Sequence, residues 1–277
     1  MIIENIPEAY SNHKNPLPDV FIYDLKMTSD VSKTKVKLNM HMFSFLQKGK
    51  KKVHLAEASV IIDNRQSILI RKGNYLWSEW LHPEDIYYCK LIFFSEEVLK
   101  KYLQKHSAPS QKRIKPSAYF TFKNDEYLTS YLNSLSSLTQ KGNTVSDKLL
   151  SVKFEELLLH LTQVYGKPFT DYLYALVSPE NNYFKKIVEN NIYTGLSLEE
   201  IAFLCNMSLS TFKRHFYKEY GVSPGKWLRE KRLIRAKELL QEGKVKASDI
   251  YLELGYNNLS NFSSAFKSKF GINPSQI

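Results

Sequence analysis

Cysteine is nearly missing from this sequence: Cys89 and Cys205 are the only two in 277 residues. They lie far apart inside apolar patterns, so buried free thiols are expected rather than a disulfide. No apolar run approaches the ~20 residues needed to cross a bilayer. The opening MIIENIPEAYSNHKNP has no charged segment leading into an apolar one, so it does not read as a signal peptide. A reducing, cytoplasmic setting is expected. Glycine is sparse as well. Gly49, Gly73 and Gly142 alone precede Gly166, and none belongs to a glycine-rich phosphate loop. His41, His54 and His82 lack the H-x-H or H-E-x-x-H spacing of a metal site. The sequence therefore predicts no enzyme, no metal and no cofactor.

What is present is enough apolar material for packed cores, at 43% hydrophobic and 13% aromatic residues. The length suits two domains of ordinary size. The formal net charge is +11, which suits a polyanion without saying which. Residues 183–277 hold 15 Lys and Arg against 9 Asp and Glu, so +6 of the excess lies in the last third.

Residues 1–18 carry three prolines and read as an arm with little structure of its own. From Val20 to Ile92 the chain is strand-like: VFIYDLKM, HMFSFLQ, KKVHLAEASVIIDN, SILIRKGN, LWSEWL and IYYCKLIFF, separated by QKGK, DNRQ, KGN and HPED. DNRQ is a hairpin candidate, and the run predicts a small, cupin-like β-barrel or a sandwich. Tyr75, Trp77, Trp80, Tyr87 and Tyr88 form its core or line a ligand pocket. After Ser95 the period turns helical. Ser95 caps SEEVLKKYLQKH, SAPSQKRIKPS makes a basic loop, and helices follow over 124–140 and 146–165. The leucine stripes of this hairpin either cap the barrel or form a homodimer interface through 124–165. SPENN marks a boundary, giving one domain over 1–177 (β-rich 20–94, helical 95–177) and a second over 178–277.

The last hundred residues are written twice. Ile201, Cys205 and Met207 recur as Ile250, Leu254 and Tyr256 at an offset of 49. Phe212, Phe216, Gly221 and Pro224 recur as Phe262, Phe266, Gly271 and Pro274 at an offset of 50. A repeat that changes length only at a turn is a duplicated structural unit. Each copy reads as helix, turn, helix, with Asn206 or Gly255 ending the first helix. Ser208 or Ser210 would cap one second helix, and Asn258 or Ser260 the other. Phenylalanines four apart mark the inward face. Ser210, Lys213, Arg214 and Tyr217 line the outer face of one second helix, with Ser260, Ser263, Ser264 and Lys267 on the other. Such a face suits a major groove, where Arg and Lys pair with guanine. Lys218, Lys267 and Lys269 sit toward helix ends, where phosphates are the expected contact. Between the copies a helix from Pro224 to Glu242 carries Arg229, Lys231, Arg232 and Arg235, with Arg232 among the expected phosphate contacts. At ~1.5 Å per residue its length is close to the ~34 Å turn of B-DNA, so both units reach successive grooves.

IAFLCNMSLSTFKRHFYKEYGVSP, LREKRLIRAKELL and LGYNNLSNFSSAFKSKFGINPS together resemble the AraC/XylS family of bacterial transcription regulators. The resemblance covers about 183–277. It implies a seven-helix DNA-binding domain with two recognition helices, contact with RNA polymerase, and activation rather than repression. Base-reading positions carried over are Ser210, Lys213 and Arg214, then Leu259, Ser260, Asn261 and Ser264. Leu259 and the serines depart from a bidentate reader, so the first helix is expected to set most of the specificity. SILIRKGNYLWSEW and KFEELLLHL are similar to the regulatory half of ExsA-like type III secretion activators. There the effector is a protein, whereas in arabinose-type members it is a small molecule. The overall expectation is an α+β chain, a β-barrel with a helical hairpin followed by an all-α double helix-turn-helix. The competing class is a polyanion- or protein-interaction module without specific DNA readout.

Overall fold

The computed structural model describes residues 3–11, 17–55, 59–81, 86–106, 119–139, 145–178, 183–243 and 245–277. It divides into two compact units, one ending at Asn181 and the other running through Asn182–Ile277.

Among its described residues the first unit has ten strands: β1 (Ile3–Ile6), β2 (Val20–Met27), β3 (Val31–Leu38), β4 (His41–Lys48), β5 (Lys50–His54), β6 (Ser59–Ile62), β7 (Gln66–Ile70), β8 (Gly73–Trp80), β9 (Tyr87–Phe94) and β10 (Tyr119–Lys123). They form two five-stranded sheets, ordered β1-β3-β8-β5-β6 and β10-β7-β4-β9-β2. This is a two-sheet arrangement and not the closed barrel expected. Strand alternation gives the second sheet two apolar faces. Met42, Leu46, Ile68, Ile70, Leu91 and Phe93 face a core shared with Val36, Val53, Tyr75 and Trp77 of the first sheet. Phe43, Phe45, Leu69, Ile92 and Phe94 point the other way.

That second face is covered by α1 (Glu96–His106), α2 (Glu126–Thr139) and α3 (Asp147–Leu176). Leu128, Leu132, Leu135, Phe154, Leu157, Leu158 and Leu161 are buried there, and the Phe154 and Phe94 rings lie 4.8 Å apart. The leucine stripes therefore cap their own sheet. Leu149 and Val152, placed by spacing on the same stripe, remain exposed at 39% and 61%. Ser95 Oγ accepts the Val98 N–H at 3.2 Å, as a cap should. The long helix α3 continues past Tyr165 by bending at Gly166, whose φ of 57° and ψ of −137° are non-helical. The SAPSQKRIKPS loop, SPENN after Ser178, and His82 lie outside the described residues.

Three further departures come from strand pairing that the local pattern does not record. The N-terminal arm contributes β1, parallel to β3 with Ile6 opposite Leu38, because Ile6 fills the core at 0% exposure. KKVHLAEASVIIDN is two paired strands, β5 and β6. DNRQ does turn, with the Arg65 N–H donating to Asp63 Oδ1 at 3.0 Å. It joins no hairpin, however, because β6 pairs with β5 in one sheet while β7 pairs with β4 and β10 in the other.

Several polar groups in this interior are paired, although Trp77 Nε1 and His41 Nε2 find no hydrogen-bond partner among the described residues. Lys51 Nζ lies 3.0 Å from Glu79 Oε1 and 3.7 Å from the Trp77 ring centroid, while Tyr87 donates to Glu79 at 2.9 Å. Tyr75, Trp77 and Tyr87 are thus core residues. Cys89 and Cys205 are buried free thiols, and burial pushes them up to about 11 and about 12. His41 and His54 stand on different sheets.

His41 is fully buried and accepts the Lys72 N–H through Nδ1 at 3.1 Å. Burial is the main reason that its pKa falls to about 3; Glu96 opposes the shift, and Arg71 and Lys72 add to it. The folded imidazole therefore stays neutral where the unfolded one, near 6.5, takes a proton. Stability contributed by this site is whole above pH 6.5 and falls as the pH drops toward 3, by about 1 kcal/mol per pH unit. Urea unfolding of the wild type and His41→Gln across pH 4–7 should show a distinctly shallower decline for the variant.

Candidate nucleic-acid interface

The second unit contains α4 (Tyr183–Asn190), α5 (Leu198–Leu204), α6 (Leu209–Tyr220), α7 (Pro224–Gln241), α8 (Ala247–Ile250) and α9 (Leu259–Phe270), with a 3-10 turn at Pro274–Gln276. Among the described residues, six α-helices and that turn stand where seven helices were expected. The two second helices, α6 and α9, are each 12 residues long and lie 50 positions apart. Both end on a left-handed glycine, Gly221 at φ 69° and Gly271 at φ 77°. Their N-terminal amides are held by different residues. The Thr211 N–H donates to Ser208 Oγ at 3.2 Å, and the Asn261 N–H to Asn258 Oδ1 at 2.8 Å. The copies differ most in their first helices. A capping box of Ser197 and Glu200 starts α5, whereas α8 is a single turn continued by hydrogen-bonded turns to Gly255.

Each second helix is seated by aromatic side chains. Phe212 and Phe216 are buried in the first copy, where Phe216 lies 5.6 Å from Trp227 of α7. Phe262 and Phe266 are buried in the second, packed with Leu233, Ala236 and Leu240 of the same α7. Burying the phenylalanine face leaves the opposite face outward. Ser210, Lys213, Arg214 and Tyr217 are exposed on α6, and Leu259, Ser260, Asn261 and Ser264 on α9. The structure thus gathers the expected base-reading residues into two outward helix faces. Neither group contains a carboxylate. Ser210 also shares a 3.0 Å hydrogen bond with the cap Ser208.

The expected phosphate contacts divide. Lys218 and Lys267 are exposed near the helix ends. Lys269 is drawn back to α7 by an ion pair with Glu230 at 2.9 Å. Arg232 is placed differently from Lys218 and Lys267, half-buried rather than exposed. Its Nε donates to the Ile192 carbonyl at 2.7 Å and Nη2 to the Leu196 carbonyl at 3.3 Å. Burial pulls its guanidinium below the ordinary range. Helical spacing alone gave no sign of this, because the acceptors lie about 40 residues away on a loop.

Two helix-turn-helix units sharing one connecting helix, after a β-rich unit, define a two-domain helix-turn-helix protein. Residues 41–172 match the profile of the ExsA N-terminal regulatory domain, and residues 201–277 match a helix-turn-helix domain. The chain is 32% identical over 162 residues to the virulence regulon transcriptional activator VirF of Yersinia enterocolitica, covering 58% of this chain and 59% of VirF. It is 30% identical over 129 residues to the HTH-type transcriptional regulator ExsA of Pseudomonas aeruginosa, covering 46% of each. A solved structure of apo ToxT K231A from Vibrio cholerae strain SCE256 aligns with a TM-score of 0.42 at 17% identity, over 93% of this chain and 95% of that one. The chain thus carries an ExsA-type N-terminal domain and an AraC-type helix-turn-helix domain, as the transcription regulators it resembles do. Its alignments span less than two thirds of VirF and of ExsA.

A Cβ at Gly221 would meet nothing within 4 Å, so substitution there tests backbone conformation alone. Gly221→Ala should cost about 1–2 kcal/mol in thermal or urea unfolding, and Gly221→Asn distinctly less, since asparagine tolerates left-handed φ.

Proposed function

We propose that this chain is a sequence-specific DNA-binding transcription activator that places α6 and α9 in successive major grooves. The observation that carries the reading is the pair of equal, glycine-terminated helices held on one connector with carboxylate-free outer faces. At 18 residues and ~1.5 Å per residue the connector is roughly 27 Å long, within reach of one ~34 Å helical turn of DNA. Lys213 and Arg214 read bases from α6, with Ser210 beside them. Leu259, Ser260, Asn261 and Ser264 make shorter-range contacts from α9, and Lys218 and Lys267 meet phosphates. The activator role is supported by the relative VirF, named as a transcriptional activator. It implies contact with RNA polymerase, a non-enzymatic role and work in the cytoplasm.

The N-terminal unit regulates this activity, and the ExsA-type match over 41–172 supports a protein effector over a small molecule. Leu149, Val152 and Leu159, exposed on α3, support a homodimer through that helix pair.

Footprinting of the full chain on genomic fragments tests the reading. Saturable protection spanning about two helical turns is expected, and binding that is uniform in sequence and lost with salt would overturn it. On the strongest protected site, Arg214→Ala should weaken specific binding by about 1–3 kcal/mol and leave non-specific binding little changed. Ser264→Ala should cost much less in the same titration.

A further inference from the structure

The two helix-turn-helix units meet around one guanidinium. The N-terminal half of α7 packs on the first copy, where Trp227 lies 5.6 Å from Phe216 and 5.0 Å from Tyr220. Its C-terminal half packs on the second, through Leu233, Ala236 and Leu240. Arg232 stands where one set of contacts gives way to the other. It bonds the loop before α5 through the carbonyls of Ile192 and Leu196. On its other side lies the turn of the second copy. A Cβ at Gly255 would overlap Arg232 Nη1 and stand 3.0 Å from Cζ. Moving the guanidinium away from that overlap would strain its Nε and Nη2 bonds to the two carbonyls. The same loop approaches the second copy directly, since a Cβ at Gly195 would lie 4.0 Å from the Glu253 carbonyl oxygen. A cleft of about 410 Å³ opens beside this contact, lined by Arg232, Gly195 and Gly255 together with Ser197, Glu200 and Asn257.

The repeat itself isolates the contact. Asn206 and Gly255 occupy equivalent positions, both with positive φ, at 56° and 79°. Conformation alone admits asparagine, as the first copy shows. Among the described contacts, the feature particular to Gly255 is the arginine against its Cα.

We propose that Arg232 is a positioning residue: it bridges the loop before α5 to the Gly255 turn and thereby fixes the relative orientation of the two DNA-reading helices. It acts through the spacing of α6 and α9 and makes no phosphate contact. This rests on the DNA-binding reading for its consequence, though not for its geometry. Without the bridge, binding by the first unit no longer delivers the second to its groove, and the advantage of linked sites shrinks.

The test uses the full chain with spin labels at Lys218→Cys and Ser268→Cys, two exposed positions on α6 and α9. Cys89 and Cys205, buried, are left in place. Double electron–electron resonance without DNA should give a narrow distance distribution. Arg232→Ala, Arg232→Lys and Gly255→Asn should each broaden or shift it; an unchanged distribution in all three overturns the proposal. On the strongest protected genomic site, the same variants should lose about tenfold or more in affinity. Their footprint should shrink toward one half, with the salt dependence retained by Arg232→Lys and Arg232→Ala alike. If Arg232→Lys instead binds as wild type while Arg232→Ala loses about one unit of salt slope, Arg232 is a phosphate contact and the proposal fails. Absence of any protected site for the wild type would refute the regulator reading, while the distance measurement would still decide the bridge.

Discussion

Everything in the second unit depends on α7 being shared. A helix-turn-helix of some 25 residues has too little apolar surface to close a core by itself, and stacking against a neighbour is how such repeats become stable. Here the neighbour for both copies is one helix. Its first half receives Phe216 and Tyr220 against Trp227, and its second half receives Phe262 and Phe266 against Leu233, Ala236 and Leu240. Because α7 has apolar side chains on opposite sides along its length, it shows no single apolar stripe. A solvated, basic connector and a common wall look alike in such a pattern. The phenylalanines that look inward on α6 and α9 are what turn the serines, Lys213 and Arg214 outward.

The first unit solves a different burial problem. Its second sheet is apolar on both faces, and the only way to keep water from both is a layer on each side. The first sheet supplies one layer and α1–α3 the other. This uses most of the leucines of α2 and α3 internally and leaves Val152 and Leu159 outside, where a second copy is proposed to dock. The charged pair Lys51 and Glu79 is tolerated between the sheets because Trp77 and Tyr87 stand beside it.

Much of this was legible from residue spacing. Strands β2, β4 and β9, the caps of α1 and α6, the left-handed Asn206 and Gly255, and the outward faces all follow from local periodicity and turn chemistry. What was not legible depends on partners far along the chain. VSKTKVKL alternates too weakly to declare a strand, yet β3 lies between β1 and β8. DNRQ has the composition of a hairpin, and nothing local records that its flanking strands belong to different sheets. Lys51, in a run of three lysines, reads as solvated until Glu79 and Trp77 are placed beside it. Arg232 looks like its exposed neighbour Arg229 for the same reason, since its acceptors are backbone carbonyls and backbone carbonyls leave no trace in a sequence.

The inequality of α6 and α9 gives the geometry of α7 its importance. In the proposed regulator α6 carries Lys213 and Arg214, which can make paired contacts with a base edge, while α9 offers serines, Asn261 and Leu259, which contribute little each. A weak second reader adds affinity only if the first delivers it already oriented, because the ordering cost is then met once for both. A flexible joint would leave α9 to find its groove alone, and the serine face has too little binding energy to do so. Rigid coupling of the two copies is therefore worth more here than it would be between two strong readers, and the demand falls on the few groups that touch both.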